Sequence, residues 1–340
     1  MRVFPPRRAG ALAVAGMALS AVLVPAVLVP AVAQAQPEAC TWRVTAIVPP
    51  DRFEERLTHV TGTNSAGDYS GYISFGGSDN QLVLWTGGRG EVQPSPENVE
   101  SLWPVDENAA GTVLVNTRLT PSGPTTAYLY TGGHRGAGTY HALPLPVGYE
   151  SATGVAINSR GDVVGRVRSP HGTRDEVAVW PVFGSGPIVL DLPQLPAPAP
   201  VDVDDDGTVL IGGGYDAHLW RDGRLITLAA TSVLTRAISN GKAVGSQLAS
   251  PESRAVQWTS TGVDYFERGV IAEDINRTGL VVGTIDSWNG PAAVWQGTRL
   301  LGALPLPRGG ESVVYHVVGD DNVVYGYVQP NIGPVRWDCV

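Results

Sequence analysis

The chain has 340 residues, of which 43% are hydrophobic and only 16% are charged, so it can bury a large core and is not disordered by composition. Its 42 glycines and 27 prolines interrupt the sequence throughout, which excludes a helical bundle and a doubly wound α/β fold, because both need uninterrupted helices. The formal net charge of -9 argues against nucleic acid and anionic membrane surfaces as partners.

Residues 1–35 are typical of a secretory signal peptide. A basic start with three arginines is followed by an uncharged apolar run over residues 9–32 and by a small-x-small cleavage site that ends at Ala35. We expect cleavage between Ala35 and Gln36, which leaves a secreted mature chain of residues 36–340. The apolar run is long enough to span a bilayer, so an uncleaved anchor is the alternative. The choice between Sec and twin-arginine export stays open.

A unit of about 42 residues repeats seven times along the mature chain. The plainest internal matches pair residues 64–71 with residues 158–165, and residues 143–146 with residues 304–307. Each copy ends its third apolar stretch on an aromatic residue, at Trp85, Tyr130, Trp180, Trp220, Trp258, Trp295 and Trp337. The repeat accounts for almost all of the mature chain, which predicts one domain.

Each copy reads as four short strands. In the third copy the first strand is Gly154–Ile157, a type I turn follows at Asn158–Gly161, and Val177–Trp180 is the third strand. Four such strands are typical of a propeller blade, in which the aromatic residue fills the gap to the next sheet. We therefore predict an all-β fold, a single β-propeller of seven four-stranded blades. Six or eight blades, a β-solenoid and two sandwiches are the alternatives.

The N-terminal segment supplies a strand that the seventh copy lacks. That copy ends at Trp337, and residues 41–48 resemble the fourth-strand segment at residues 139–146. We expect them to complete the last blade, because this removes an open sheet edge. Cys40 and Cys339 are the only cysteines and would then lie within bridging range. In an exported chain this predicts a Cys40–Cys339 disulfide that locks the ring.

Several copies are similar to a known repeat. Residues 156–165, 274–283 and 217–220 resemble the HAF-type probable extracellular repeat, whose unit reads A-x-x-I-N-x-x-G-x-V-V-G and then A-F-L-W. The resemblance covers the mature chain, although copies one, two and seven are degenerate. It implies a secreted, propeller-like bacterial protein with no established activity and no catalytic residues to transfer. The excess of arginine over lysine is typical of a GC-rich bacterium such as an actinomycete.

One acidic run offers a metal site. No G-x-S-x-G, H-E-x-x-H, P-loop or C-x-x-C motif is present. Asp202, Asp204 and Asp206 copy the start of a D-x-D-x-D-G calcium loop, but Gly213 stands where the loop needs its bidentate glutamate. The repeat register also makes Asp204 a turn residue. Calcium is therefore the one cofactor that the sequence offers, and a metal-free turn is the alternative.

Irregular segments between second and third strands indicate a binding surface, because the topology places them on one face of the ring. They are Ser74–Gln81, Thr120–Thr126, Pro170–Glu176, Ser250–Arg254 and Ile285–Pro291. Trp288 lies in the last of them, outside the core aromatic positions. A tryptophan beside polar loops suits contact with a sugar or a peptide. Tolerated surface variation is the alternative.

These patterns predict a secreted, monomeric propeller that acts as a binding or scaffold module. Its partner would be a cell-wall or environmental glycan or another exported protein, and neither nucleic acid nor, after signal cleavage, a membrane. Two alternatives stay open: a hydrolase or lyase with an active site at one end of the channel, and a calcium-dependent adhesin. Carboxylates that converge in the central channel would favour the enzyme.

Overall fold

The fold is a seven-bladed β-propeller. The computed structural model describes residues 40–340, except 77–78, 121, 173–174, 185, 196, 231, 249–251, 260–261 and 331. Within these residues, seven antiparallel sheets of four strands each form the blades. The predicted fold class and blade number are confirmed. The predicted signal segment, with its cleavage site between Ala35 and Gln36, lies outside the described residues.

The blades follow one another along the chain, and each begins with its innermost strand. Strand β1 is Trp42–Ala46, and blades 1 to 3 comprise β2 Leu57–Thr63, β3 Tyr69–Gly76, β4 Asp79–Thr86, β5 Arg89–Val92, β6 Ser101–Glu107, β7 Val113–Arg118, β8 Thr125–Thr131, β9 Thr139–Ala142, β10 Ser151–Ile157, β11 Val163–Arg168, β12 Glu176–Trp180 and β13 Ile188–Val189. Blades 4 to 7 comprise β14 Pro198–Val203, β15 Val209–Gly213, β16 Asp216–Arg221, β17 Arg224–Thr227, β18 Val233–Ser239, β19 Lys242–Gln247, β20 Arg254–Thr259, β21 Gly262–Tyr265, β22 Gly269–Ile275, β23 Leu280–Ile285, β24 Ala292–Gln296, β25 Arg299–Ala303, β26 Ser312–Val318, β27 Val324–Gln329 and β28 Gly333–Cys339.

The N-terminal strand closes the ring as predicted. Strand β1 pairs antiparallel with β28, from Trp42 opposite Cys339 to Ala46 opposite Val335. Cys40 and Cys339 form a disulfide with their Cα atoms 5.4 Å apart, which confirms the predicted pair. Such a bond is typical of an oxidising, extracellular environment. Across the described part of the chain, no helix has the length and apolar character needed to cross a membrane.

The recurring tryptophan also forms a hydrogen bond between blades. Its indole Nε1 donates to a backbone carbonyl in the connector from the preceding blade. The pairs are Trp85–Val48 at 2.9 Å, Trp180–Pro144 at 2.8 Å, Trp258–Ala229 at 2.6 Å, Trp295–Glu267 at 3.0 Å and Trp337–Pro305 at 2.7 Å. Tyr130 replaces this bond by donating from its hydroxyl to Gln93 Oε1 at 2.7 Å. The aromatic position therefore selects a side chain that both fills space and donates.

Replacing Trp295 by phenylalanine tests the hydrogen bond. We expect the free energy of unfolding to fall by about 2–3 kcal/mol, because the Glu267 carbonyl loses its donor and the smaller ring leaves a gap. Urea denaturation measures the change. Trp220 is the matched control, since its indole makes no such bond within the described residues, and Trp220→Phe is expected to cost less. Equal losses in the two variants would contradict the role of the hydrogen bond.

The asparagine of the repeat turn also joins two blades. Asn158 Oδ1 accepts hydrogen bonds from the backbone N–H groups of Arg160 and Asp162, and its Nδ2 donates to the Asp204 carbonyl of the next blade at 2.9 Å. Gly161 closes the turn with a φ of 95°, a region that favours glycine. The same inter-blade bond runs from Asn108 to Asn158 and from Asn276 to Gly319. This explains both fixed positions of the Asn-x-x-Gly signature.

Candidate functional site

The seven innermost strands surround a central channel with two different ends. The turns that follow β2, β6, β10, β14, β18, β22 and β26 lie at one end, which we call the turn end, around a cavity of about 150 Å³. The loops between second and third strands lie at the opposite end, which we call the loop end. A second cavity there has a volume of about 1050 Å³, and Val317 borders both cavities.

Three aspartates line the turn-end cavity at one register position of alternating blades. Asp106, Asp202 and Asp274 stand in blades 2, 4 and 6. Each carboxylate accepts one backbone N–H from the following residue and one from the innermost strand of the next blade. The donors are Glu107 at 2.7 Å and Ile157 at 2.9 Å, Val203 and Ile238 both at 2.7 Å, and Ile275 and Val318 both at 2.8 Å. Each aspartate therefore joins its blade to the next.

The odd-numbered blades carry small or apolar residues at the same position. These are Gly62, Ala156, Ala237 and Val317, as the strand registers show. At Gly62 no side chain fits, because a Cβ there would lie 2.3 Å from the backbone nitrogen of Glu107. The alternation is therefore built into how closely the blades approach each other.

Burial places the three carboxyls in an environment that disfavours their charge. Desolvation raises the pKa of Asp106 to about 8, that of Asp274 to about 7 and that of Asp202 to about 6. Repulsion adds to this effect, since the charge of Asp202 raises the pKa of both other groups. The backbone hydrogen bonds act in the opposite direction.

An ion-pair network spans the mouth of the turn end. The Arg277 guanidinium, from blade 6, lies 2.8 Å from an Asp205 carboxylate oxygen and 3.3 Å from an Asp320 oxygen. It also donates to Ser159 Oγ in blade 3 at 2.7 Å. These contacts connect the opposite sides of the ring over the three aspartates.

The three candidate calcium ligands point to different partners. Asp202 faces the channel as described, while the Asp204 carboxylate accepts the backbone N–H groups of Asn240 and Gly241 in blade 5 at 2.9 and 2.6 Å. Asp206 forms an ion pair with Arg221. Within the described residues no group of three histidine, cysteine or acidic side chains could hold a metal ion. The structure does not bring these aspartates together, and calcium at this run stays a prediction.

Trp288, the residue predicted to bind a ligand, lines the loop-end cavity. It follows β23 in blade 6 and is 43% exposed. The predicted position of the irregular segments holds for four of the five. The first is different, because residues 74–76 and 79–81 continue β3 and β4, with Ser74 opposite Asn80. That prediction of a long insert at residues 74–81 is wrong, since β3 extends to Gly76 and β4 begins at Asp79.

Unpartnered polar atoms surround the same cavity. His316 Nδ1 lies 2.7 Å from Glu273 Oε2, whereas its buried Nε2 has no hydrogen-bond partner among the described residues. The buried hydroxyls of Thr61 and Thr284 are likewise without a partner there. Burial would raise the pKa of Glu273, but the His316 hydrogen bond and the charges of His316 and Arg236 bring that pKa below its usual value. The wall therefore contains buried polar atoms whose hydrogen-bonding capacity is unused within the described residues.

An aromatic stack forms another part of this wall. The His59 ring stacks between Tyr72, at a centroid distance of 4.9 Å, and Tyr327, at 4.5 Å. Burial lowers the pKa of His59, which favours the neutral ring at pH 7. Sequence reasoning missed this stack and the Glu273–His316 pair, because each joins blade 7 to another blade: Tyr327 meets His59 of blade 1, and His316 meets Glu273 of blade 6. The unusual side chains on innermost strands were the only available signal.

The comparisons with known proteins show the fold. No protein-family model and no curated protein matches the chain. Among solved structures, an oligogalacturonate lyase in complex with manganese has a TM-score of 0.59 at 12% identity and covers 89% of this chain and 96% of its own. The propeller domain of the Trilobed protease from Pyrococcus furiosus has a TM-score of 0.57 at 11% identity, with coverages of 83% and 93%. YCF48 bound to D1 peptide has a TM-score of 0.56 at 8% identity, with coverages of 88% and 97%.

The match to some larger proteins is partial. The chain spans 64% of TolB from Acinetobacter baumannii and 51% of a prolyl endopeptidase. Identities this low establish a common fold and no common activity. The resemblance to HAF-type repeats therefore stays a prediction, and what is established is that the chain is a seven-bladed β-propeller similar to domains found in lyases, peptidases and peptide-binding proteins.

Proposed function

We propose that this protein is a secreted binding module of the HAF-repeat type, and that the loop-end cavity around Trp288 is its ligand site. The ligand class is a polyhydroxylated molecule, that is, a glycan of the cell wall or the environment. The carrying observation is a cavity of about 1050 Å³ that combines a half-exposed tryptophan with exposed polar side chains, among them Asn289 and Gln329. A ligand site needs both an apolar surface and convergent polar groups.

The two kinds of group match the two faces of a sugar. The indole of Trp288 offers a flat apolar surface against which the C–H face of a sugar ring can pack. The exposed side chains of Asn289 and Gln329, which line the same cavity, can hydrogen-bond to ring hydroxyls.

The converging aspartates of the turn end do not favour an enzyme there. Both oxygens of each carboxylate accept a backbone N–H, and Arg277 spans the mouth above them. This arrangement favours a role in holding the blades together rather than general acid–base chemistry. A peptide ligand, as in the similar fold of YCF48 with its D1 peptide, is the competing outcome at the loop end.

Melting of the mature protein against soluble cell-wall fragments, plant and bacterial oligosaccharides and unstructured peptides tests the proposal. A ligand at 100 times its dissociation constant adds about 2.7 kcal/mol of stability, which is readily measured. Stabilisation by a saccharide is expected, and stabilisation by peptides alone would contradict the glycan proposal. Calcium and a chelator in the same series test the predicted calcium loop.

Trp288→Ala then identifies the site. We expect the dissociation constant of the stabilising saccharide to rise at least tenfold by calorimetry, with the melting temperature of the free protein unchanged, because the side chain is 43% exposed. Phe183→Ala is the matched control. That ring is 91% exposed between β12 and β13, at the turn end. An unchanged affinity in the Trp288 variant would move the site elsewhere.

A further inference from the structure

One cation of the loop-end cavity has no counter-ion. Arg236 belongs to β18, the innermost strand of blade 5, and its exposed side chain lines the cavity. Across the described residues, its side chain makes no ion pair and no hydrogen bond. Arg224 and Arg299 on outer strands are also unpaired there, but Arg236 lines a cavity. A chain with a net charge of -9 has a surplus of carboxylates that could have paired with it.

The other charged groups around the cavity make no ion pair with that cation. The ionisable side chains that border the cavity are His59, Tyr72, Arg236, Glu273 and His316. Glu273 is the only carboxylate among them, and its Oε2 lies 2.7 Å from His316 Nδ1. Because an ionised carboxylate only accepts, the proton of this contact belongs to His316 Nδ1. Glu273 is thus engaged away from Arg236, although the charge of Arg236 still lowers its pKa.

The remaining contacts of the site describe a ligand with one anionic and one apolar part. Guanidinium presents a planar fork of donors that matches a carboxylate or sulfate group in two parallel hydrogen bonds. Trp288 lies in the wall of the same cavity, in the neighbouring blade 6. A ring that packs on the indole can therefore carry an acidic substituent to Arg236 inside one cavity.

We propose that the ligand of this cavity is an acidic sugar, bound with its anionic group on Arg236 and its ring on Trp288. This inference rests on the proposed function, whose site it shares, and adds the charge of the ligand. A carboxylate on a uronic acid and a sulfate ester offer the same chemistry to the guanidinium. A neutral glycan would leave Arg236 without a partner.

Four disaccharides with one skeleton test the charge: cellobiose, its uronic acid form cellobiouronic acid, the methyl ester of that acid, and cellobiose sulfate. Calorimetry on the mature protein is expected to show that the acid or the sulfate binds at least tenfold more tightly than the ester and cellobiose. The stronger of the two anionic sugars identifies the source of the anion.

Arg236→Gln is expected to bring the anionic sugar to the affinity of the neutral ones, while Arg236→Lys keeps part of the difference. Arg299→Gln is the matched control, since it removes an exposed arginine from the outer strand β25. Its affinities are expected to equal those of the unmodified protein. The melting temperature of each variant verifies that it is folded.

Failure of the acidic-sugar inference can be distinguished from failure of the glycan proposal. Trp288-dependent binding with equal affinity for the acid and its ester would overturn the inference and leave the glycan proposal standing. An anionic preference that survives in Arg236→Gln would likewise overturn it. Absence of binding to all four sugars, while unstructured peptides bind at Trp288, would overturn the glycan proposal together with the inference.

Discussion

Removal of the Cys40–Cys339 disulfide is expected to lower the free energy of unfolding by about 5–6 kcal/mol. The two cysteines are 299 residues apart in sequence, so the bond restricts nearly the whole unfolded mature chain. In the chain-entropy model the stabilisation grows with the logarithm of the loop length, which puts this loop near the upper end of the range. The folded ring keeps its other closing element, the pairing of β1 with β28.

Urea denaturation of the Cys40→Ala, Cys339→Ala double variant measures this effect. The unmodified protein in reductant is expected to match the variant, and reductant is expected to have no effect on the variant itself. A loss below about 1 kcal/mol would show that hydrogen bonds of β1 close the ring without help from the disulfide. A change in the slope of unfolding against urea would show instead that the unfolded state has expanded.

Acidification is expected to stabilise this protein over part of the pH range. The pKa of Asp106 is raised from 3.8 in the unfolded chain to about 8 in the folded state, and that of Asp274 to about 7. Between pH 3.8 and the raised pKa of each group, the folded state binds more protons than the unfolded state. The free energy of unfolding therefore falls as the pH rises through this range. Each such group contributes a slope of about 1.4 kcal/mol per pH unit within its own window.

Asp106→Asn isolates one of these groups. We expect the fall in unfolding free energy between pH 5 and pH 8 to become shallower by several kcal/mol in total, because the amide does not titrate. The slope is the measured quantity, since the variant also changes the hydrogen bonds to Glu107 and Ile157. Asp222→Asn, at an exposed turn, is expected to keep the original slope. The same slope in both variants would contradict the buried-carboxyl account.

The fold could be predicted from the sequence because its signals are local and repeated. The turn with asparagine or aspartate, the alternation of apolar residues and the terminal aromatic recur along the chain, so a degenerate copy such as the seventh is recognised from its neighbours. The closing strand was predicted because the seventh unit left a sheet edge without a partner. The disulfide was predicted because that strand brings Cys40 close to Cys339. One insert was misplaced, because the polar residues 79–81 belong to β4 and pair with β3 rather than forming a loop.

The candidate site could be predicted only in its exposed part. Trp288 stands out because it breaks the repeat, and that departure is visible along the chain. Arg236, Glu273 and His316 each occupy an ordinary position of an innermost strand in blades 5, 6 and 7. Their proximity depends on how the ring brings three separate units together, which no spacing within one unit encodes. The three channel aspartates likewise come from three separate blades, so no spacing within one unit indicates that they converge.

Because the aspartates occur in every second blade, the repeating unit of the channel wall is a pair of blades rather than a single blade. Blades 2 and 3, 4 and 5, and 6 and 7 are each joined through a buried carboxylate, and both plainest internal matches link blades of equal parity. A ring with an odd number of blades must interrupt this two-blade repeat once. It does so between blades 7 and 1, where aromatic rings are in contact. The ring centroids of Tyr325 and Tyr69 lie 4.9 Å apart with the rings tilted, and those of Tyr327 and His59 lie 4.5 Å apart with the rings stacked. The seam of the ring is thus aromatic, and its His59 lies in the wall of the proposed binding cavity.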